Sequence, residues 1–258
     1  MRARKRFGQH FLSDDAVLQQ IERVVGLRSS DRVLEIGPGQ GALTDLLIYA
    51  PQVYKAVEID RDLIPFLRAR HADLEVINAD ILRVDLSEVL DSGTPWRVLG
   101  NLPYNISSPL LSVLTDFVRD YPERIADMHF MLQREMAERL AAVPGTKAWG
   151  RLSVMVQLQF SVECLFDVAP ESFSPPPKVW SSVIRMLPHN QIPSDVDVVV
   201  LDRILRMAFA GRRKRLSNSL KNLDIDWSRS RLDPGLRADN VTAQDYLSLV
   251  PLVRQAAT

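Results

Sequence analysis

The sequence predicts an α/β protein: a mostly parallel sheet covered on both faces, with an antiparallel edge strand, followed by a small all-helical domain. Three observations carry this. Short β-branched runs alternate with amphipathic stretches over the first 190 residues, the pattern of strand–helix crossovers. A glycine-rich turn, Gly37-Pro-Gly-Gln-Gly41, follows the first strand of that alternation. Around Pro188 to Ser194 the apolar spacing changes to a helical period. The expected division is therefore 1–190 and 191–258. With 258 residues, 46% apolar and 25% charged, the chain is long enough for one large or two unequal cores.

Taken in order, the expected strands are Arg32 to Gly37, Tyr54 to Asp60, Leu74 to Asp80, Arg97 to Gly100 and Met128 to Gln133. Helical patterns lie near 41–50, 61–70, 86–91 and 109–120, with another at 134–142 after the fifth strand. Ser108 is placed to cap the helix at 109–120, with Pro109 in its first turn. A further helix fits 151–160. Two more strands are expected near 161–168 and 179–187, separated by the proline-rich Phe173-Ser-Pro-Pro-Pro-Lys178 and forming an antiparallel edge. In the second domain Leu201, Ile204, Leu205, Ala208 and Phe209 make one apolar helix face. Short helices follow, ending near 242–255.

Net charge is zero, but unevenly distributed. Residues 1–200 hold 21 basic and 26 acidic side chains; residues 201–258 hold 11 and 6. Two basic clusters, Arg2, Arg4, Lys5 and Arg6 at one end and Arg212-Arg213-Lys214-Arg215 at the other, suit a polyanionic partner, though solvated flexible segments would look the same. No apolar run approaches the roughly 20 residues of a membrane span, and the basic N-terminus has no apolar stretch behind it, so it is not a secretory signal. Cys164 is the only cysteine, which excludes an internal disulfide and fits a cytoplasmic location. Its apolar neighbours suggest a buried, inert thiol. The histidines at 10, 71, 129 and 189 lie too far apart for a metal-ligand pattern, so no metal is expected.

The chemistry gathers at strand ends, where open parallel sheets bind ligands. Glycines at 37, 39 and 41 let the backbone approach a ligand closely. Their Gly-x-Gly-x-Gly spacing is not that of dinucleotide-binding loops. Glu58, 21 residues beyond Gly37, stands where a carboxylate would chelate ribose hydroxyls. Asp80 stands where it would accept an adenine amino group. Singly, each acid is an ordinary cap or solvated charge; together they favour an adenosine-containing cofactor. The fourth strand ends in Asn101-Leu102-Pro103-Tyr104. There Asn101 and a nearby carbonyl can accept the N–H bonds of a flat, amino-bearing base while Tyr104 stacks on its face.

This set resembles the S-adenosyl-L-methionine site of Rossmann-like methyltransferases that act on exocyclic amino groups. Phe7-Gly-Gln-His-Phe-Leu12, Gly150 to Gln157, and Phe173-Ser-Pro-Pro-Pro-Lys-Val179 with Ser181 look like the bacterial small-subunit (16S) ribosomal RNA adenine N6,N6-dimethyltransferases. Nearly the whole chain is covered. The erythromycin-resistance methyltransferases of large-subunit RNA share the Asn-x-Pro-Tyr core, but the Gly150 block, Ser107-Ser108 and the basic tail look more like the small-subunit enzymes. Trp180 departs from the pattern, since an acidic residue often follows Pro-x-Val there.

The resemblance implies a cofactor site of His10, Leu12, Gly37, Gly39, Glu58, Asp80 and Asn101, with Gln9 as a further contributor. It implies dimethylation of two adjacent adenosines in a loop near the 3′ end of 16S RNA, within the small subunit or its precursor, with Phe173 on the second face of the base. Asn101 and the Leu102 carbonyl are expected to accept the amino protons, aiming the nitrogen at the donor methyl. Arg4, Lys5, Arg6, Arg212, Arg213, Lys214, Arg215 and Lys221 are the expected RNA contacts, and a monomer is the default. Competing readings are a nicotinamide-dependent dehydrogenase, a cytosine C5 methyltransferase, a DNA adenine methyltransferase and a catalytically silent ribosome-assembly binder.

Overall fold

The computed structural model describes residues 9–189 and 196–254. Element order is β1 (Phe11–Leu12), α1 (Asp15–Val25), β2 (Arg32–Ile36), α2 (Ala42–Leu47), β3 (Val53–Glu58), α3 (Ile64–Arg70), β4 (Glu75–Asn78), α4 (Leu86–Val89), β5 (Trp96–Asn101), α5 (Ser107–Asp120), β6 (Ile125–Gln133) and α6 (Arg134–Leu140). Then come α7 (Arg151–Gln157), β7 (Phe160–Val168), β8 (Phe173–Ser174), β9 (Ser181–Pro188), α8 (Val198–Ala210), α9 (Leu216–Ser219) and α10 (Ala243–Leu249).

Seven strands form one sheet in the order β4-β3-β2-β5-β6-β9-β7. β4, β3, β2, β5 and β6 run parallel, and β9 is antiparallel to β6. The expected edge pair is thus in place, but the later strand β9 lies inside and β7 forms the edge. Val33, Leu34, Val98, Phe130 and Leu132 are fully buried, because successive side chains of a central parallel strand face opposite, equally covered sides. The strand order reverses between β2 and β5, so a crevice opens at their carboxyl ends. Gly100 is required for that pairing: a Cβ on it would stand 2.4 Å from the Ile36 carbonyl oxygen.

Three elements escaped the sequence reading: α1, β1 and β8. In α1, the Asp14 carboxylate accepts from the Ala16 and Val17 amides, Ile21 and Val25 are buried, and Gly26 ends the helix at φ +55°, the usual cap chemistry. β1 pairs antiparallel with β8, Leu12 opposite Phe173 and Phe11 opposite Ser174. Ser108 is not the cap of α5. Ile106 holds that position without a side-chain bond, while Ser107 donates to the Pro103 carbonyl at 3.2 Å. Pro109 still falls in the first turn, where its missing N–H is harmless.

The chain divides into two compact units: Met1–Ala137 with Ser161–Pro188, and Glu138–Phe160 with His189–Thr258. Glu138–Phe160, expected from the sequence to lie in the sheet domain, groups with the helical unit by its contacts. The reason is its apolar content. Trp149, Val154 and Leu158 are buried in one cluster with Leu201, Ile204, Leu205 and Ala208, and the Trp149 indole donates to the Val241 carbonyl at 3.1 Å. The expected face of α8 is buried except at Phe209, which is half-buried. Among the described residues, no helix is long and apolar enough to cross a membrane, and no metal-binding group of acidic, histidine or cysteine side chains occurs.

Candidate active site

Beyond the carboxyl ends of β2, β3, β4 and β5 lies a cavity of about 300 Å³, at the lower end of the usual ligand-site range. His10, Leu12, Gly37, Gly39, Glu58, Asp80, Asn101, Leu102, Pro103 and Tyr104 all line it. Sequence reasoning had drawn these from five separate segments.

At one side, Gly39 has φ +58° and a Cβ there would touch the Phe11 ring at 3.0 Å, so only glycine fits between the loop and β1. Its amide donates to Glu58 Oε2 at 3.0 Å, and the Asp60 amide donates to Oε1 at 2.8 Å. Burial pushes the Glu58 carboxyl up in pKa, opposed by those two backbone N–H groups. Each carboxylate oxygen keeps a lone pair, enough for two hydroxyls. Asp80 sits two residues beyond the end of β4, half-buried, accepting from the Leu82 amide at 3.1 Å. The loop and acids therefore fit an adenosine-type cofactor: a carboxylate pair, a cradle only glycine fills and a suitable volume.

Residues 9–12 cross this cavity. Gln9 Nε2 donates to Asp60 Oδ2 at 3.4 Å. His10 accepts at its carbonyl from Asn101 Nδ2 at 3.0 Å and donates through Nδ1 to the Pro175 carbonyl at 2.8 Å. The Asn101 bond decides which end of its amide is spoken for. With Nδ2 engaged, Oδ1 remains an acceptor that receives no hydrogen bond among the described residues. The Leu102 amide donates to the Met131 carbonyl at 3.1 Å, while its own carbonyl accepts nothing among the described residues. Unpaired acceptors lining a cavity are open to donors on a bound ligand. An amine bearing two N–H groups supplies both.

Tyr104 is held by its hydroxyl, 2.8 Å from Ser181 Oγ, and burial raises its phenol pKa. Its ring lies 5.8 Å from the His10 ring at 25°. A stacking base therefore meets the face away from the imidazole or replaces it. Phe173 does not line the cavity. It is 3% exposed, packed with Leu12, Met131 and Val183 in the core, so it offers no second face to a base in this structure. Cys164 also departs from expectation: it is exposed, its thiol 3.8 Å from the Ala137 carbonyl, and off the cavity wall. Glu35, which the sequence reading passed over, borders the cavity and accepts from Thr44 Oγ1 at 2.6 Å and Tyr54 Oη at 2.9 Å. Burial pushes it up to about 7. Only its place before Gly37 could have flagged it.

Of the expected RNA contacts, Arg4, Lys5 and Arg6 lie outside the described residues. Within the helical unit Arg212 is committed internally, donating to the Thr146 and Lys147 carbonyls at 3.0 and 2.9 Å and pairing with Asp239 at 3.5 Å. Arg213, Lys214, Arg215 and Lys221 are exposed and have no side-chain partner among the described residues. An isolated bridge sets exposed Arg237 opposite Arg215, a neighbour that a separation of 22 residues hid from sequence reading.

Relatives match nearly the whole chain. The family described as ribosomal RNA adenine dimethylase matches residues 1–255. A protein of Chromohalobacter salexigens named ribosomal RNA small subunit methyltransferase A is 45% identical over 99% of this chain and 93% of its own. The protein of that name from Pseudomonas aeruginosa is 45% identical over 99% and 95%. Among solved structures, a dimethyladenosine transferase from Plasmodium falciparum superposes with a TM-score of 0.76 at 26% identity, covering 93% of this chain and 96% of that one. A 23S rRNA methyltransferase superposes at 0.69 and 26%, covering 95% and 100%. The doubly wound sheet is the Rossmann-like methyltransferase arrangement those structures share, and the chain belongs to the ribosomal RNA adenine dimethylase family.

Proposed function

We propose that this protein transfers methyl groups from S-adenosyl-L-methionine to the exocyclic N6 of two adjacent adenosines in a loop near the 3′ end of 16S ribosomal RNA. The observation that carries this reading is the pair of unengaged acceptors, Asn101 Oδ1 and the Leu102 carbonyl, beside the Tyr104 ring. The sulfonium donor supplies an activated methyl group with an excellent leaving group. Everything else is positioning by the chain. Gly37 and Gly39 admit close backbone approach, Glu58 accepts the ribose hydroxyls, Asp80 accepts the adenine amino group, and His10 and Leu12 cover the methionine end.

Asn101 and Leu102 accept the two amino protons, drawing the nitrogen toward a pyramidal shape with its lone pair facing the methyl carbon. Orientation of this kind is worth effective molarities of about 10⁵–10⁸ M. Positive charge developing on nitrogen is stabilised by both acceptors and by the Tyr104 face. The proton then leaves to solvent. After the first transfer one N–H remains, and either acceptor suffices to hold it for the second.

Relatives named for the small subunit, at 45% identity, favour 16S over 23S RNA, although one structural neighbour acts on 23S RNA. We infer a monomer that acts in the cytoplasm on the small subunit or its precursor, with the exposed basic side chains of the helical unit against phosphates. Incubation with tritiated S-adenosyl-L-methionine and undermethylated small subunits, followed by nucleoside analysis, should yield N6,N6-dimethyladenosine. Label in large-subunit RNA alone would reassign the substrate, and label in neither would overturn the reading.

A further inference from the structure

Trp180 is 48% exposed, beside Val179 at 43%. Trp96 and Trp149 are buried and Trp227 is half-buried, so an exposed indole here needs a reason. Its backbone is not loose: the Trp180 carbonyl accepts from the Arg134 amide at 2.9 Å. The segment carrying it is fastened to the cavity at both ends. Pro175 accepts from His10, and Ser181, the residue after Trp180, pairs with Tyr104. Between these anchors Pro176, Lys178, Val179 and Trp180 are exposed, and Lys178 has no ion-pair partner among the described residues. An exposed aromatic ring on an anchored backbone and an uncommitted ammonium therefore lie in the segment whose two ends bond to His10 and to the base-stacking tyrosine. That pairing is what single-stranded nucleic acid uses: a ring for a base face and a cation for the adjoining phosphate.

We propose that Trp180 stacks on the unpaired base neighbouring the adenosine held at Tyr104, with Lys178 on the phosphate between them. Trp180 thereby determines which sequence context is methylated. This rests on the methyl-transfer reading of the site. It assigns Trp180 a role in substrate choice, apart from the chemistry at Asn101.

The full-length protein is tested with an RNA hairpin carrying two adjacent loop adenosines, and with hairpins abasic on either side of the methylated position. Wild type, Trp180→Phe and Trp180→Ala are compared by single-turnover methyl transfer. Trp180→Ala should lower kcat/KM on the intact hairpin by roughly tenfold, with Trp180→Phe restoring most of it. One abasic hairpin should bring wild type down to the Trp180→Ala level, and that variant should lose no more on it. Binding of S-adenosyl-L-methionine should be unchanged in all three. The emission difference between wild type and Trp180→Phe should be quenched by the intact hairpin and not by the abasic one. Equal kcat/KM in all three proteins, multiplicative losses from variant and abasic site, or quenching only by whole subunits would each overturn the proposal. A wild type that forms no methyladenosine in hairpins or subunits would overturn the methyl-transfer reading itself.

Discussion

Asn101 receives its orientation from a backbone carbonyl: the His10 oxygen takes Nδ2 and leaves Oδ1 to the cavity. Asn101→Ala should therefore lower methyl transfer by at least 10²-fold, the usual cost of removing one preorganised polar contact to a developing charge. RNA binding, measured by filter retention, should stay within about twofold. Tyr104 separates ring from hydroxyl. Tyr104→Phe loses only the Ser181 bond, worth about 1 kcal/mol, and should keep most of its kcat/KM. Tyr104→Ala loses the stacking face, worth roughly 1–3 kcal/mol, and should fall by about ten- to a hundredfold. Steady-state kinetics on one RNA hairpin distinguishes these outcomes, and equal losses in both variants would mean the hydroxyl rather than the ring matters. At this scale the sequence was informative wherever a residue ended a strand. Glu58 and Asn101 occupy strand termini, and those termini converge in any parallel sheet. Phe173 and Cys164 were misjudged because local composition says nothing about which side of a two-residue strand, or of an edge strand, meets the core.

The turn between α8 and α9 contributes charge in a way the residue string alone does not reveal. Four consecutive basic side chains read as one cluster, yet Arg212 is tied to Thr146, Lys147 and Asp239 while Arg213, Lys214 and Arg215 point to solvent with Lys221 and Arg237. If these five contact phosphates, log K for single-stranded RNA should fall with log salt at a slope near −3.5. Neutralising them should reduce that slope by about 0.7 per residue. Arg212→Gln should leave the slope alone and lower the melting temperature of the helical unit, since it removes two carbonyl contacts and an ion pair. RNA titrations at 50 and 200 mM salt with parallel thermal melts check both halves; a slope that stays put when all five are neutralised removes this face from the interface. The strands were legible here because β-branched runs are nearly continuous in a doubly covered sheet. The α1 helix carried its own signals in Asp14, Ile21, Val25 and Gly26. β1 and β8, two residues each, exist only through pairing with each other. Glu138–Phe160 joined the helical unit through Trp149, a tertiary choice no local window contains.

Across the molecule, the cofactor side of the sheet contains a buried acid whose ionisation is coupled to folding. Glu35 is 1% exposed, and its carboxyl is pushed from the ordinary 4.5 to about 7, chiefly by burial and further by the Glu58 and Asp45 charges. The folded chain therefore binds a proton that the unfolded chain has released between about pH 4.5 and 7. Stability is full below the lower value, declines as pH rises through the interval, and is level above it. A displacement of that size corresponds to roughly 3 kcal/mol. Glu58, raised in the same direction, adds to the trend, whereas His129 opposes it. Burial lowers its imidazole from 6.5 to about 4, so the unfolded chain binds a proton there that the folded chain does not, and its contribution rises with pH between those values. Thr44 and Tyr54 both donate to the same oxygen, Oε2. Glu35→Gln can thus keep both bonds on its amide oxygen while abolishing the titration. Urea unfolding from pH 4.5 to 8, followed by circular dichroism, should show wild-type stability falling relative to that of the variant as pH rises, since His129 contributes equally to both. The two curves should separate by about 3 kcal/mol at pH 8, with the variant the more stable. Parallel curves would mean that Glu35 ionises as readily in the folded chain as in the unfolded one, and that the Thr44 and Tyr54 hydroxyls fully replace its lost water. In that case the Gly37–Gly41 loop rests on a permanent charge, and the cofactor crevice would keep its shape at every pH where the sheet survives.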